Sequence, residues 1–262
     1  MSDFDRNAAA AFGRPLTRAE AAVVDEGLRA YMLRVYNYMV LGLAITGLAA
    51  LGIYMLSVTT DPSLAVVKVR NIMLTQVGYT LFVSPVKWVV ILAPLALVFF
   101  LSFRIQTMRP ATAQLTFWIY AALVGVSLGS IFLIYTHTSI VRVFFITAAS
   151  FGALSLWGYT TNRDLTGMGS FLIMGLFGII IASLVNIFLA SSMMQWIISV
   201  VGVLVFAGLT AYDTQRLKNE YIYGAMDGDV MERSAIMGAL SLYLDFLNLF
   251  TMLLQLMGSR DE

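Results

Sequence analysis

ALSLYLDFLNLFTMLLQLMG, residues 239–258, is long and apolar enough to cross a membrane, yet it carries one carboxylate, Asp245, near its middle. A helix needs about 20 predominantly apolar residues to span the hydrocarbon core of a bilayer. A charge at the centre of such a helix costs about 2.5–3.5 kcal/mol on insertion scales, so it is kept only where something compensates that cost. The stretch therefore predicts a transmembrane helix whose aspartate faces other helices or a cavity.

The composition of the whole chain is that of a membrane protein. Of its 262 residues, 60% are hydrophobic and 12% charged, and the mean hydropathy of +0.84 is too high for a soluble domain. With no cysteine and one histidine, the chain lacks the residues for disulfides, thiolate metal sites and histidine-rich metal sites. A net charge of +1 gives no reason to expect nucleic acid as a partner. The expected partner is the lipid bilayer.

Apolar windows recur along the chain and predict an all-α, polytopic integral membrane protein with seven transmembrane helices. The windows lie at about 31–56, 87–104, 112–134, 140–159, 169–190, 194–216 and 235–257. Most connections between them are short and polar, but residues 57–86 are half apolar and are expected to rest on or dip into the bundle. Residues 31–258 therefore form one predicted transmembrane domain.

The first 30 residues are rich in charge and contain no apolar stretch of the kind that a signal peptide requires. They predict a soluble tail, with a short amphipathic helix against the membrane as the alternative.

The Lys and Arg residues predict the orientation of the bundle. If the N-terminus is cytoplasmic, eleven of the sixteen fall on the cytoplasmic side, where membrane proteins keep their positive charge. We therefore expect the tail in the cytoplasm and, after seven crossings, the C-terminal GSRDE on the other side.

The last predicted helix carries a polar stripe. Ser241, Asp245, Asn248 and Gln255 are separated by four, three and seven residues, so at 3.6 residues per turn they share one face. The remaining faces are apolar almost all round, which indicates that other helices surround this one. Such a stripe faces a cavity, a water path or a partner stripe, or it forms hydrogen bonds between helices that hold the bundle together.

A second acid, Asp213 in GLTAYDTQRLKNEY, lies near the end of the preceding helix. One interpretation is an interfacial residue neutralised by Arg216 and Lys218. However, consecutive antiparallel helices would bring Asp213 close to Asp245, which lies at most about 15 Å deep from the same side at 1.5 Å per residue. Two carboxylates in one buried site would share a proton and act as a proton sensor. When both are ionised they could offer oxygen ligands to Ca²⁺.

A buried acid pair favours a nearby cation. Arg104 in FFLSFRIQTMRP ends the second predicted helix on the same side and is the predicted latch, with a topology-setting interfacial arginine as the alternative.

The stretch GVSLG, residues 125–129, fits the G-x-S-x-G nucleophile pattern. It lies inside a predicted transmembrane helix without the strand-turn-helix context that exposes a catalytic serine, so its glycines more simply indicate close helix packing.

Four stretches together resemble the Bax inhibitor-1 family, specifically its bacterial YccA-like branch. They are RAYMLRVYNYMVLGLAITGLAA, GYTTNRDLTGMGSFLIMGLFGIIIASLVNIF, GLTAYDTQRLKNEY and ALSLYLDFLNLFTMLLQLMG, and the resemblance runs from about residue 30 to the end. It implies a seven-helix fold whose last helix is central and wrapped by the other six. It also implies residence in the bacterial cytoplasmic membrane.

The resemblance further implies a pH-sensitive calcium leak channel in which Asp213 and Asp245 form the proton-sensing pair and Arg104 the latch. Ca²⁺ would be the permeant or bound ion, and no cofactor would be required. Some relatives carry a glutamate three turns before that arginine, where this chain has Ala93, so a calcium site using that glutamate is not expected here.

Two other functions follow from the same residues. The resemblance implies a non-conducting modulator that binds a membrane-bound AAA protease or a stress or cell-death complex. We expect the exposed N-terminal tail, which the resemblance does not cover, to be the contact of such a modulator. Paired aspartates also resemble those of intramembrane aspartyl proteases. Those enzymes carry G-x-G-D around the second acid, whereas Leu242, Tyr243 and Leu244 precede Asp245. We therefore do not expect an enzyme.

Overall fold

The computed structural model of the protein describes residues 18–69, 72–223 and 228–260. Seven helices in this part of the chain are long and apolar enough to cross a membrane, which confirms the predicted fold class. They are α1 (Arg18–Ser57), α2 (Lys87–Arg104), α3 (Pro110–Leu128), α4 (His137–Thr160), α5 (Thr166–Leu189), α6 (Ser192–Tyr223) and α7 (Gly228–Met257).

The helix ends differ most from the predicted windows where polar residues continue an apolar helix. α1 begins at Arg18 instead of near residue 31, α6 continues to Tyr223, and α7 begins at Gly228. A hydropathy window detects the apolar centre of a helix, whereas helical hydrogen bonding continues through its amphipathic ends. Residues 18–30 of the predicted tail therefore belong to α1, where Leu28 is only 1% exposed. Residues 1–17 lie outside the described residues.

The described chain divides into two compact units. The first combines the residues up to Asn37 with Val141–Met257, and the second combines Tyr38–Ile140 with the residues from Gly258 onward. In the first unit, α5, α6 and α7 share an apolar core. Its buried members are Leu172, Ile179, Ile198, Val205, Phe206, Leu209 and Leu249.

The last helix is the most buried of the seven. In α7, 56% of the membrane-length window is buried, against 17–39% in the other six helices. A central helix requires such burial, because its side chains must face protein on most sides. That all six other helices wrap α7 stays a prediction.

The second unit contains the connection between α1 and α2. It includes β1 (Val58–Thr59), β2 (Val67–Val69) and β3 (Ile72–Leu74), which form an antiparallel sheet in the order β1-β3-β2. Val58 and Val67 both pair with Leu74, and a helical turn at Gln76–Gly78 and a π-helix at Tyr79–Val83 follow. The half-apolar connection therefore folds as strands and turns. Its position relative to a membrane stays a prediction.

The GVSLG stretch packs as its glycines predict. A Cβ atom added at Gly125 of α3 would lie 2.5 Å from the backbone oxygen of Thr46 in α1. The Thr46 hydroxyl donates a hydrogen bond to the backbone oxygen of Ala121 at 2.9 Å. The two helices thus approach closely at Gly125, which is the role that small residues have between membrane helices.

Candidate functional site

The site lies between α6 and α7, which are consecutive helices packed side by side. Gly238 of α7 faces Leu217 of α6, and a Cβ atom at Gly238 would lie 2.6 Å from a Leu217 methyl carbon. This close approach aligns the polar residues of the two helices. Thr210, Asp213, Thr214 and Gln215 are all buried on α6, and Asp245 is buried on α7.

The carboxyl groups of Asp213 and Asp245 lie within hydrogen-bonding reach of each other. Asp213 is 8% exposed and Asp245 5% exposed, so water can solvate neither well. Asp245 Oδ2 accepts no hydrogen bond from the described residues. Buried polar atoms are normally hydrogen-bonded, so this oxygen is open to a proton, a water molecule or a cation.

Arg216 bridges the two helices beside this pair. Its Nη1 atom lies 3.2 Å from Asp213 Oδ1, one helical turn away on α6. Its Nη2 atom donates a hydrogen bond at 3.2 Å to the hydroxyl of Ser241 on α7. The Arg216 side chain is 43% exposed, so the ion pair connects a buried carboxylate to a solvent-facing guanidinium.

Arg216 also faces an open cavity of about 390 Å³, whose lining residues are Thr166, Tyr212, Gln215, Arg216, Asn219 and Glu220. Gln215 fixes the cavity wall, because its Oε1 atom accepts from the amide of Leu165 at 2.9 Å and its Nε2 atom donates to the Arg163 oxygen at 2.8 Å. The loop between α4 and α5 is thereby tied to α6.

Asp164 in this loop accepts two hydrogen bonds from Thr166, the first residue of α5. Its Oδ1 atom accepts hydrogen bonds from the Thr166 hydroxyl at 2.6 Å and the Thr166 amide at 2.9 Å. These two bonds stabilise the charged form and lower the pKa of the Asp164 carboxyl, the hydroxyl contributing more than the amide.

A second polar cluster, the amide cluster, joins α5, α6 and α7 at the other end of the stripe. Gln255 Oε1 accepts from Gln195 Nε2 at 2.6 Å and from the Ser199 hydroxyl at 2.7 Å. Gln195 Oε1 in turn accepts from Asn186 Nδ2 at 3.2 Å, and Asn186 Oδ1 accepts from the Ser191 amide at 3.1 Å. Each amide oxygen in this cluster therefore has a donor.

The predicted site residues have different surroundings. The structure brings Asp213, Asp245 and Ser241 together around Arg216, and it places Gln255 in the amide cluster. The Asn248 side chain lies between the two ends of the stripe, half-buried. Arg104 ends α2 in the second unit with an exposed side chain, and its latch role stays a prediction.

For a metal ion, Asp213 and Asp245 are the acidic ligands in reach. Among the described residues, no group of three or more histidine, aspartate or glutamate side chains comes together. Two carboxylates supply at most four of the six to eight oxygens that Ca²⁺ takes, so water or backbone oxygens would have to supply the rest.

Sequence reasoning missed the partners in the amide cluster. Asn186, Gln195 and Ser199 lie within or four residues from ASSMMQ, residues 190–195, which is one of the connections predicted only to be short and polar. One signal was present, because Gln195 and Ser199 are four residues apart and so share a helix face.

Of the two cations that the sequence placed near Asp213, Arg216 forms the ion pair. Lys218 instead donates a hydrogen bond to the backbone oxygen of Tyr159 at 2.8 Å.

Comparison with known sequences supports the resemblance. Residues 28–262 match the family described as "Inhibitor of apoptosis-promoting Bax1". The chain belongs to this family. A protein of Caulobacter vibrioides is 45% identical over the full length of both chains. An uncharacterized protein of Rickettsia prowazekii is 46% identical over 94% of this chain and 96% of its own.

One relative has a named location. The inner membrane protein YbhL of Escherichia coli is 45% identical over 89% of this chain and 93% of its own length. Together with the seven apolar helices, family membership makes this chain an integral membrane protein of the Bax inhibitor-1 family.

Proposed function

We propose that the protein is a pH-sensitive cation leak channel, with Ca²⁺ as the expected ion, gated by protonation of Asp213 and Asp245. The observation that carries this proposal is the buried Asp245 carboxyl, which lies within hydrogen-bonding reach of Asp213 while its Oδ2 atom has no hydrogen-bond donor among the described residues. The location of YbhL supports the bacterial cytoplasmic membrane as the site of action.

The chemistry of the pair supports a proton-dependent response. Two adjacent carboxylates in a poorly solvated place repel each other when both are ionised, so one proton or one cation stabilises the pair. Protonation and cation binding therefore compete for the same oxygens. Ser241, Asn248 and Gln255 continue the polar face along α7, and polar residues inside a membrane bundle commonly mark an ion pathway.

The test is flux through purified protein. Reconstituted in liposomes that enclose a calcium dye, the protein should give a Ca²⁺ flux that changes with pH, by up to about tenfold per pH unit for a single controlling proton. Asp213→Asn and Asp245→Asn should each flatten that dependence. Asp25→Asn removes an exposed carboxylate from α1 and is the matched control, which should keep the wild-type profile.

Two results would contradict the proposal. A flux that does not change with pH in the wild type and is unaltered by Asp213→Asn and Asp245→Asn would remove the gating role. Absence of any flux at every pH would remove the channel itself.

The second candidate is a non-conducting modulator that binds a membrane protease or a stress complex. The observation that favours it is the charged start of α1, where Asp25, Glu26 and Arg29 are exposed. Combining Asp25→Asn, Glu26→Gln and Arg29→Gln would remove these charges and leave the buried Leu28 in place. Flux should then survive in a channel, whereas regulation of a partner should be lost in a modulator that binds through the charged start of α1.

An intramembrane aspartyl protease is the least favoured function. Leu242 and Tyr243, three and two residues before Asp245, are completely buried, so substrate backbone would have to displace packed side chains to reach the acid. If the purified protein cleaved a model transmembrane substrate and Asp213→Asn abolished that cleavage, the protein would be a protease, contrary to our expectation.

A further inference from the structure

The cavity beside Arg216 lies where α5 begins and α6 ends. Its volume is about 390 Å³, and it opens to the outside of the protein. Thr166, the first residue of α5, lines one side. The other lining residues belong to the last turns of α6 and are Tyr212, Gln215, Arg216, Asn219 and Glu220. The proposed leak function does not use this space.

The lining carries one positive and one negative charge. Arg216 and Glu220 are four residues apart, so their side chains lie on one face of α6, about 6 Å apart along its axis. Arg216 contacts Asp213 through Nη1 and Ser241 through Nη2, and a guanidinium has further N–H donors. Glu220 accepts from the Ser234 hydroxyl at 3.0 Å, and a carboxylate can accept several hydrogen bonds. Both groups can therefore bind a ligand and keep these contacts.

Contacts with α5 and its preceding loop hold the cavity wall in place. The Tyr212 ring lies against Gly169, where an added Cβ atom would be 2.3 Å from a ring carbon. Cζ of Arg216 lies 6.0 Å from the centre of the same ring, at the limit of a cation–π contact. Gln215 binds two backbone groups of the loop before α5. A wall fixed in this way loses little conformational freedom when a ligand binds.

The cavity lies at a boundary between apolar and polar sequence. The apolar windows of α5 and α6 are 169–190 and 194–216, so the lining residues fall at or just beyond the same end of both windows. Two turns along α5 from Thr166, the same helix face presents exposed apolar side chains, which are those of Ile173, Phe177 and Ile181. In a bilayer, lipid headgroups occupy the level of such a boundary, and acyl chains lie along the apolar side chains.

We propose that this cavity binds the headgroup of a phosphatidylethanolamine-type lipid, with the phosphodiester on Arg216 and the ammonium on Glu220. Arginine suits the phosphate because its planar guanidinium donates to two oxygens at once. The acyl chains follow the exposed face of α5 that begins at Ile173. The inference goes beyond the proposed leak function and does not depend on it.

The two charges select the headgroup. A phosphatidylglycerol headgroup has no ammonium for Glu220, so the carboxylate would face the phosphate without compensation. A phosphatidylcholine headgroup carries a quaternary ammonium, which has no N–H to donate to the carboxylate. Discrimination therefore comes from Glu220, and general attraction for phosphate comes from Arg216.

A single thiol on the cavity wall gives the first test. The chain has no cysteine, so Asn219→Cys introduces one reactive group beside Arg216, and Asn162→Cys is the matched control on the exposed loop before α5. The purified full-length protein, freed of bound lipid, is labelled with a methanethiosulfonate reagent. Dihexanoyl-phosphatidylethanolamine should slow labelling of Asn219→Cys several-fold, whereas the corresponding phosphatidylglycerol and phosphatidylcholine should slow it less. Asn162→Cys should react at the same rate with every lipid.

Charge substitutions in the Asn219→Cys background assign the two contacts. Glu220→Gln keeps an acceptor for Ser234 and should raise the half-protecting concentration of the phosphatidylethanolamine about tenfold or more, as for loss of one charge-assisted hydrogen bond. It should not weaken protection by the phosphatidylglycerol. Arg216→Gln should weaken protection by both lipids. Arg163→Gln, which changes an exposed arginine of the neighbouring loop, should alter neither.

Thermal unfolding gives a second measurement that needs no cysteine. A ligand that binds the folded state raises the Tm, so the phosphatidylethanolamine should raise the Tm of the wild type more than the other two lipids do. Glu220→Gln should remove that difference.

Three results would overturn the proposal. Equal protection by all three lipids, or a preference for phosphatidylethanolamine that survives Glu220→Gln, would remove the headgroup site. Equal protection by glycerophosphoethanolamine, which has no acyl chains, would exclude a lipid as the occupant. Because both readings measure binding, absence of Ca²⁺ flux would contradict only the leak function, and absence of lipid selectivity would contradict only this site.

Discussion

The polar stripe of α7 ends in two different environments. Around Asp245 and Ser241 the neighbours are charged, and one carboxylate oxygen lacks a hydrogen-bond donor among the described residues. Around Gln255 the neighbours are neutral, and each amide oxygen of the cluster accepts at least one hydrogen bond. We call these the acid end and the amide end.

On the proposed function, the acid end responds to protons and cations, whereas the amide end holds the helices together. An incompletely bonded acid pair changes its state when a proton or cation arrives, because either one supplies the missing interaction. A neutral cluster with its acceptors filled gains nothing from a change in pH and holds three helices together. On the proposed function, the same helix combines a titratable segment and a structural segment, about 15 Å apart at 1.5 Å per residue.

The largest expected effect concerns the packing that supports the acid end. A Cβ atom at Gly158 of α4 would lie 2.2 Å from the backbone oxygen of Ala211, two residues before Asp213. Backbone cannot move aside as a side chain can, so Gly158→Ala should cost about 3 kcal/mol of stability. Thermal unfolding in detergent would measure this loss.

Gly202 provides the matched control near the amide end. A Cβ atom there would lie 3.0 Å from Met252 Cγ, and methionine is flexible enough to move. Gly202→Ala should therefore cost less than about 1 kcal/mol. Equal losses in Gly158→Ala and Gly202→Ala would mean that the acid end is no more rigidly packed than the amide end.

The next effect concerns the amide cluster itself. Gln255→Leu would leave the Gln195 side-chain amide without its Gln255 acceptor, at a cost of about 1 kcal/mol in a membrane protein, whereas the Ser199 hydroxyl would keep the Gln195 backbone oxygen at 2.8 Å. The loss should be the same at every pH. Ser241→Ala should cost less, because Arg216 is exposed and its freed donor can bind water. A pH-dependent loss in Gln255→Leu would contradict the assignment of this end as purely structural.

A smaller effect is expected midway along the stripe. Asn248 is half-buried between the two ends, and Asn248→Leu should change stability by less than about 1 kcal/mol. If ions follow the stripe, the same change should lower the flux, because a leucine offers no oxygen ligand. A normal flux in Asn248→Leu would place the path away from this face of α7.

The smallest effect is expected from Asp164. Its pKa is lowered in the folded protein, so its contribution to stability is present above the unfolded value of about 3.9 and is lost as pH falls through the folded value. Asp164→Asn should therefore differ slightly from wild type at neutral pH and not at all in strong acid. Comparing melting temperatures across pH would test this, and a difference that persists in strong acid would contradict it.

Much of the fold could be predicted from hydropathy alone. The seven apolar windows correspond to α1–α7, because a helix that crosses lipid must be apolar along its central turns. The ends of α1, α6 and α7 could not be predicted, since their outer turns are polar and no single residue marks where helical hydrogen bonding stops.

The candidate site was predictable in part. Consecutive antiparallel helices and the helical rise were enough to expect Asp213 near Asp245. One sequence-based interpretation already named Arg216 as a cation that neutralises Asp213, and the ion pair at 3.2 Å agrees with it, whereas the latch role of Arg104 stays a prediction. The hydrogen bonds of Gln255 were not predictable, because uncharged amides find partners through helix rotation and side-chain rotamers that a sequence does not specify.

A chain of hydrogen bonds connects the turn between α5 and α6 to Gln255, near the end of α7. Ala190 adopts a left-handed conformation with φ of 49°, and the next amide, that of Ser191, donates to Asn186. Asn186 reaches Gln255 through Gln195. Hydrogen exchange at the Ser191 amide would therefore report any loosening of the last turns of α7, from a position 64 residues earlier in the sequence (255 − 191).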